Sequence, residues 1–239
     1  LTSTTGTLGI AGATGTGSGN ITLSSGDAVL LSANVGGAGS GTVTVNANTN
    51  AAGLEGFTQN PGSSITTSNA AATAVRVNVN TAGGGTGGAV LGDIATGSGG
   101  TITVRTDIGG NATGGSIGQP AGGLLQSGPG AVVLATPSGG TSGIGTAGAP
   151  IQTTTGAVTA TAGSGGVFIT ETDGASFTAT ATGAGPVSLA STTGTLTIAG
   201  ATSTGTGSIA ISGNTIVQNA NLTTGGPITV TAAAGPITM

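Results

Sequence analysis

The chain contains no cysteine, histidine, lysine, tryptophan or tyrosine. Without histidine or cysteine there is no zinc site of the usual kind, no Ser-His-Asp or Cys-His constellation, no haem ligand and no disulfide framework. Only eight side chains carry charge: Arg76, Arg105, Asp27, Asp93, Asp107, Asp173, Glu55 and Glu171. Two arginines and three phenylalanines supply neither a basic surface nor stacking platforms, which argues against nucleic-acid binding. A net charge of -4 over 239 residues implies no strong electrostatic partner. No stretch reaches the roughly 18 apolar residues of a membrane span. No basic segment followed by an apolar core opens the sequence, so a signal peptide is not expected in it.

What is present is glycine, threonine and small aliphatics. The 52 Gly, 8 Pro and 47 Thr together make 45% of the chain. Disordered chains usually combine low hydrophobicity with abundant charge, whereas here charged residues are 3% and mean hydropathy is +0.37. An unfolded chain of this kind would aggregate, so a state that pairs its backbone internally is the expected one. Helix is disfavoured, because each interior Gly costs about 1 kcal/mol relative to Ala and Thr is a poor helix former.

Short alternating runs recur throughout. Gly41-Thr42-Val43-Thr44-Val45, Gly100-Thr101-Ile102-Thr103-Val104, Gly194-Thr195-Leu196-Thr197-Ile198, Gly207-Ser208-Ile209-Ala210-Ile211 and Gly226-Pro227-Ile228-Thr229-Val230 share one form. The period of two puts aliphatics on one face and Thr, Ser or Ala on the other. Val167, Val187, Ile209 and Ile228, taken from every second strand, recur at intervals of roughly 20 residues. That is the length of one coil in many β-solenoids. A sandwich of this size would have a poor core without aromatic bulk. At about 20 residues per coil the chain would make about 12 coils, a rod near 57 Å long at about 4.8 Å per coil.

A longer repeat supports an array. Residues 3–19 align without gaps to residues 191–207, with 14 of 17 positions identical at an offset of 188. The chain therefore reads as a single solenoid segment, 1–239, of a longer repeat array. The alternation weakens over 46–74, which reads as a loop or side excursion, and over 119–150, where only Val132-Val133-Leu134 is clearly core-like.

Runs such as Gly194-Thr-Leu-Thr-Ile-Ala, Gly207-Ser-Ile-Ala-Ile-Ser and Gly226-Pro-Ile-Thr-Val-Thr recur at two related short periods. They resemble those of the large secreted bacterial adhesins with filamentous-haemagglutinin-like repeats, including autotransporter passengers. The resemblance covers most of the chain, best from Ile151 to Met239. It implies an all-β, right-handed parallel β-helix, export to the cell surface, and a non-catalytic structural or adhesive role in an extracellular fibre or stalk. Partners on this reading are neighbouring coils or subunits stacked head to tail, and host or surface ligands.

Candidate sites are few. Glu171 and Asp173 form the only close acidic pair, and parallel β-helices also carry polysaccharide lyases and hydrolases that use such pairs. Two residues apart on a strand they would face the same way, and like-charge coupling could raise one pKa. The plainer reading is a solvated strand end before the Gly174 turn, and a carbohydrate-active enzyme is the third functional alternative. Arg105 and Asp107 read as a surface pair. Gly84-Gly85-Thr86-Gly87-Gly88 lacks the Asp of a calcium β-roll, and Gly15-Thr16-Gly17 lacks the Lys and helix of a phosphate loop. The pairs Thr159/Thr161, Thr178/Thr180, Thr202/Thr204 and Thr229/Thr231 raise the second alternative, binding of ice or another flat surface; Thr also simply suits exposed strands. Asn20, Asn111 and Asn221 open glycosylation sequons at close to chance frequency. No catalytic, cofactor-binding or metal residue is assigned, and no cofactor is expected.

Overall fold

The computed structural model describes residues 1–50, 53–108, 114–200 and 202–239; Asn111 lies outside them. Every described element is a strand, and all 26 strands join one hydrogen-bonded sheet. Each strand-to-strand pairing is parallel, and each links a strand to one on the next turn of the chain. The fold is a parallel β-helix, as the two-residue period requires of short strands that bury one face each.

The ladder can be followed on three faces. On face A, Thr2 pairs with Ser24, Ser24 with Asn46, Asn46 with Asn78, Asn78 with Arg105, Arg105 with Ala135, Ala135 with Thr161 and Thr161 with Thr180. Thr180 pairs on to Ser203, and Ser203 to Thr223. Nine steps at about 4.8 Å give a rod of about 43 Å. It is shorter than twelve uniform coils would make, because coil length is not constant. The step from Asn46 to Asn78 uses half as much chain again as the step from Thr2 to Ser24, and the step from Thr161 to Thr180 uses less than either. Coils near the expected length of roughly 20 residues occur towards both ends, and the central ones are wider.

Apolar columns run along each face. Face A stacks Ile21, Val43, Val75, Ile102, Val132, Val158 and Phe177. Face B stacks Leu8, Val29, Phe57, Ala89, Ile117, Ile144 and Val167. Face C stacks Val35, Ile65, Ile94 and Leu125. All but Leu8 are buried. A fully buried Val, Leu or Ile side chain is worth roughly 1.5–3 kcal/mol, so many modest contributions along the axis replace one bulky core.

The stretches of weaker alternation lie within the coils. Inside 46–74, Phe57–Gln59 pairs with Val29–Leu31 and Ser64–Thr67 with Val35–Gly37. Inside 119–150, Leu125–Ala135 is a single bent strand whose register shifts between Gln126, Gly128 and Ala131. Val132 and Leu134 point inward there, while Val133 lies on the outer side, half-buried. The inserted residues form corners, which blur the alternation without removing strands from the ladder.

One corner disappears where the coils narrow. Ile117 on face B and Leu125 on face C sit on separate strands with a corner between them, whereas Val167 and Ile169 occupy one strand, Gly166–Glu171. Faces B and C have fused into a straight run. Face A then splits: Phe177 pairs with Ile198 and Thr180 with Ser203, on either side of a new corner. The sequence repeat reflects this exchange. Ser3, which pairs with Ser25 on face A, matches Ser191 in the repeat, and Ser191 lies on the fused strand Val187–Ser191. The repeated stretch therefore changes its place around the axis between its two copies.

Candidate functional site

Among the described residues several buried polar groups interrupt the core, Gln59 and Ser63 among them, and two clusters are the most extensive. The first sits at the corner after face A in the wide coils. Asn48 (φ 52°) and Asn80 (φ 62°) are the two non-glycine residues with positive φ among those described. Asn tolerates this region because its short side chain bonds locally. Both are fully buried. Asn48 Nδ2 donates to Asn80 Oδ1 at 2.8 Å, and Asn80 Nδ2 donates to Gly87 O at 2.9 Å and Thr106 O at 3.2 Å. Gly87 N returns a bond to Asn80 Oδ1 at 3.1 Å. A Cβ on Gly85 would overlap the Asn48 amide. The Gly84–Gly88 run thus closes this corner, and its small residues let the backbone reach the asparagine pair.

The second cluster lies on face C at the narrowing. The column that reads Val35, Ile65, Ile94, Leu125 continues as Thr153, Glu171 and Ser191. Period two along Ile151–Thr161 sends Ile151, Thr153 and Thr155 inward, and along Gly166–Glu171 it sends Val167, Ile169 and Glu171 inward. Glu171 is therefore at 0% exposure. Thr153 Oγ1 donates to its Oε2, Thr155 N to its Oε1 at 3.1 Å and Asp173 N to its Oε1 at 3.5 Å. Thr155 Oγ1 bonds Ser127 Oγ at 2.5 Å, extending the polar layer by one coil. The Ser191 Oγ, next in the column, is buried with no partner in the chain.

Burial, foremost, pushes the Glu171 carboxyl up to about 7; the neighbouring Asp173 carboxylate adds to the rise, while the bonds from Thr153 and Thr155 oppose it. The two acids remain neighbours, as expected, but in different settings: Glu171 faces the interior, whereas Asp173 is exposed in the turn that follows.

Four of the remaining charges, Arg105, Asp107, Asp27 and Asp93, bond within the framework. Arg105 Nε and Nη2 each bond an Asp107 carboxylate oxygen at 2.9 Å in an exposed bidentate pair, the surface pair expected. Asp27 accepts from Gly6 N at 2.8 Å and Asn50 Nδ2 at 2.7 Å, and Asp93 from Leu124 N at 3.1 Å, each across coils. Among the described residues no three acidic side chains gather where a metal ion could sit. Shallow grooves of about 240 to 280 Å³ follow the B–C corner past Pro61, Pro120 and Pro150, and Asp93 is their one charged lining residue. Gln119, nearly buried there, accepts from Gln152 N at 2.6 Å.

Of the Thr pairs, Thr159/Thr161 stacks directly on Thr178/Thr180 on the outside of face A. Thr202 and Thr204 are buried instead, and Thr229/Thr231 is exposed on the fused face. Asn20 and Asn221 are exposed; Asn20 Oδ1 accepts from Thr42 N at 2.9 Å.

Fold and interior together define a β-solenoid with a mostly apolar core interrupted by buried polar clusters. No family model, no curated protein and no solved structure matches the chain.

Proposed function

We propose that the chain is a structural and adhesive segment of an extracellular fibre or stalk of a large secreted bacterial surface protein. The observation that carries this reading is the unbroken parallel ladder from Thr2 to Thr223, which joins every level of the rod through backbone hydrogen bonds. Such a ladder resists bending and extension without cofactor or disulfide, and the two ends present open strand edges on which further coils can stack. Large apolar side chains are exposed at those ends, at Leu1, Ile228 and Ile237. The resemblance to adhesin repeats supplies the cell-surface setting.

A flat-surface binder is the second reading, favoured by the stacked Thr159/Thr161 and Thr178/Thr180 rows. The same outer column holds Arg76 and Val133, which break its regularity below. An enzyme is the third, and it would need Glu171 to open to solvent from full burial.

Three measurements on the purified chain separate these. Electron micrographs showing rigid rods, with beads coated by the chain adhering to cell or matrix surfaces above uncoated controls, support the first reading. Thermal hysteresis abolished by Thr159→Tyr and Thr178→Tyr would favour the second. Polysaccharide cleavage lost on Glu171→Gln or Asp173→Asn would favour the third.

A further inference from the structure

The face C column carries a hydrocarbon at every wide coil and a hydroxyl or carboxyl at every level from Thr153 to Ser191. The change falls where faces B and C fuse. A carboxyl at 0% exposure is there bracketed by Thr153 on one side and by a partnerless Ser191 hydroxyl on the other. The elements packed against Glu171 are the strands Ile151–Thr161 and Val187–Ser191, and neither carries a charged or titratable side chain. Asp173, two residues on, is the one charged group beside it. Among the described residues no cation is in place to neutralise an ionised Glu171.

We propose that the coil junction between Thr153 and Ser191 is a proton-operated latch, tight while Glu171 is neutral and loosened when it ionises. In the neutral acid Oε1 still accepts from Thr155 N, while a protonated Oε2 donates to Thr153 Oγ1, whose hydroxyl reverses its role, and the column then holds no net charge. Loss of the proton leaves a carboxylate enclosed by uncharged strands, with the anionic Asp173 nearby. Burying an uncompensated charge is among the costliest changes a core can undergo.

The sign follows from linkage. In the unfolded chain Glu171 titrates near its ordinary 4.5, and in the folded chain near 7. Below both values it has no effect on stability. As pH rises from 4.5 through 7 the unfolded chain releases the proton first, so stability falls, and it levels off above 7. No histidine titrates in this window. The α-amine of Leu1 lies at the far end of the rod, donating to Thr22 O at 2.8 Å.

The test is thermal unfolding of the full chain from pH 5 to pH 9 at constant ionic strength, with residue-resolved hydrogen exchange. The wild type should lose roughly 5–10 °C in Tm across the range. Protection factors, corrected for the intrinsic pH dependence of amide exchange, should fall by roughly tenfold to a hundredfold in Ile151–Thr155, Gly166–Glu171 and Val187–Ser191, with little change in Val75–Val79. Glu171→Gln should flatten both profiles, and Thr153→Val, which removes a bond to the carboxylate, should move the midpoint upward. A flat wild-type profile, or a slope that survives in Glu171→Gln, would overturn the proposal. If Glu171→Gln does not fold, titration of the wild-type Glu171 carboxyl carbon by NMR decides: a midpoint near 7 supports the latch and one near 4.5 overturns it.

Discussion

The wide central coils and the narrow coils that follow them solve one packing problem in opposite ways. In the wide coils three faces meet at corners, the face C column is hydrocarbon, and the polar groups that close the turns include neutral amides such as Asn48 and Asn80. In the narrow coils two of the faces run together, the corner between them is gone, and a carboxyl occupies an inner column. A solenoid can therefore change its girth without breaking its ladder. What changes is the chemistry at the corner: an amide network where the chain must turn, and a hydroxyl–carboxyl stack where it runs straight.

The two fully buried phenylalanines offer the strongest way to break this comparison. Phe57 in the wide region is stacked between Val29 and Ala89, and Phe177 in the narrow region between Val158 and Ile198. Truncating Phe57 would place Ala against Ala89 and leave the larger void. Phe57→Ala should cost about 4–5 kcal/mol and Phe177→Ala about 3–4 kcal/mol by denaturant unfolding. The reverse order would mean that the wide coils relax into cavities more readily than the narrow ones.

Close backbone approach gives the next effect. A Cβ on Gly39 would overlap Gly17 O on the neighbouring coil, whereas one on Gly118 meets nothing within 4 Å. Gly39→Ala should therefore destabilise by about 2–3 kcal/mol, and Gly118→Ala should stay within about 0.5 kcal/mol of wild type. Equal effects would mean that the coils can part locally at the Gly39 corner at little cost. Asn80→Ala, which loses four buried bonds at a positive φ, should cost about 2 kcal/mol in Tm-derived stability. Its partner test, Asn80→Gly, restores the backbone freedom but not the bonds and should recover only part of that loss. The smallest effect belongs to Arg105→Gln, whose ion pair is exposed: under about 1 kcal/mol, and smaller still in high salt.

Strand type, parallel stacking and the inward residues were readable in the sequence because period two and a coil of roughly 20 residues are properties of local pattern. Val167, Val187, Ile209 and Ile228 stack in the register their spacing predicts. The widening of the central coils was hidden, since corner residues such as those around Pro120 and Pro150 add Gly and Pro without marking where the ladder resumes. The polar column was also hidden. Glu171 occupies an inward position of the alternation Val167, Ile169, Glu171, a signal that was present, but a carboxylate just before a Gly turn reads as solvated unless its inward phase is given more weight than its charge. The asparagine corner left a fainter trace, two Asn directly following the alternating runs that end at Ala47 and Val79.

The absence of native cysteine makes one distance measurement unusually clean. Thr22 and Thr178 lie in one outer column of face A, linked through Thr44, Arg76, Thr103, Val133 and Thr159. Spin labels on a Thr22→Cys, Thr178→Cys double variant should give a narrow distance distribution centred about 29 Å apart, six steps of about 4.8 Å. A broad distribution, or one centred below about 20 Å, would contradict a single continuous ladder running from the wide coils into the narrow ones.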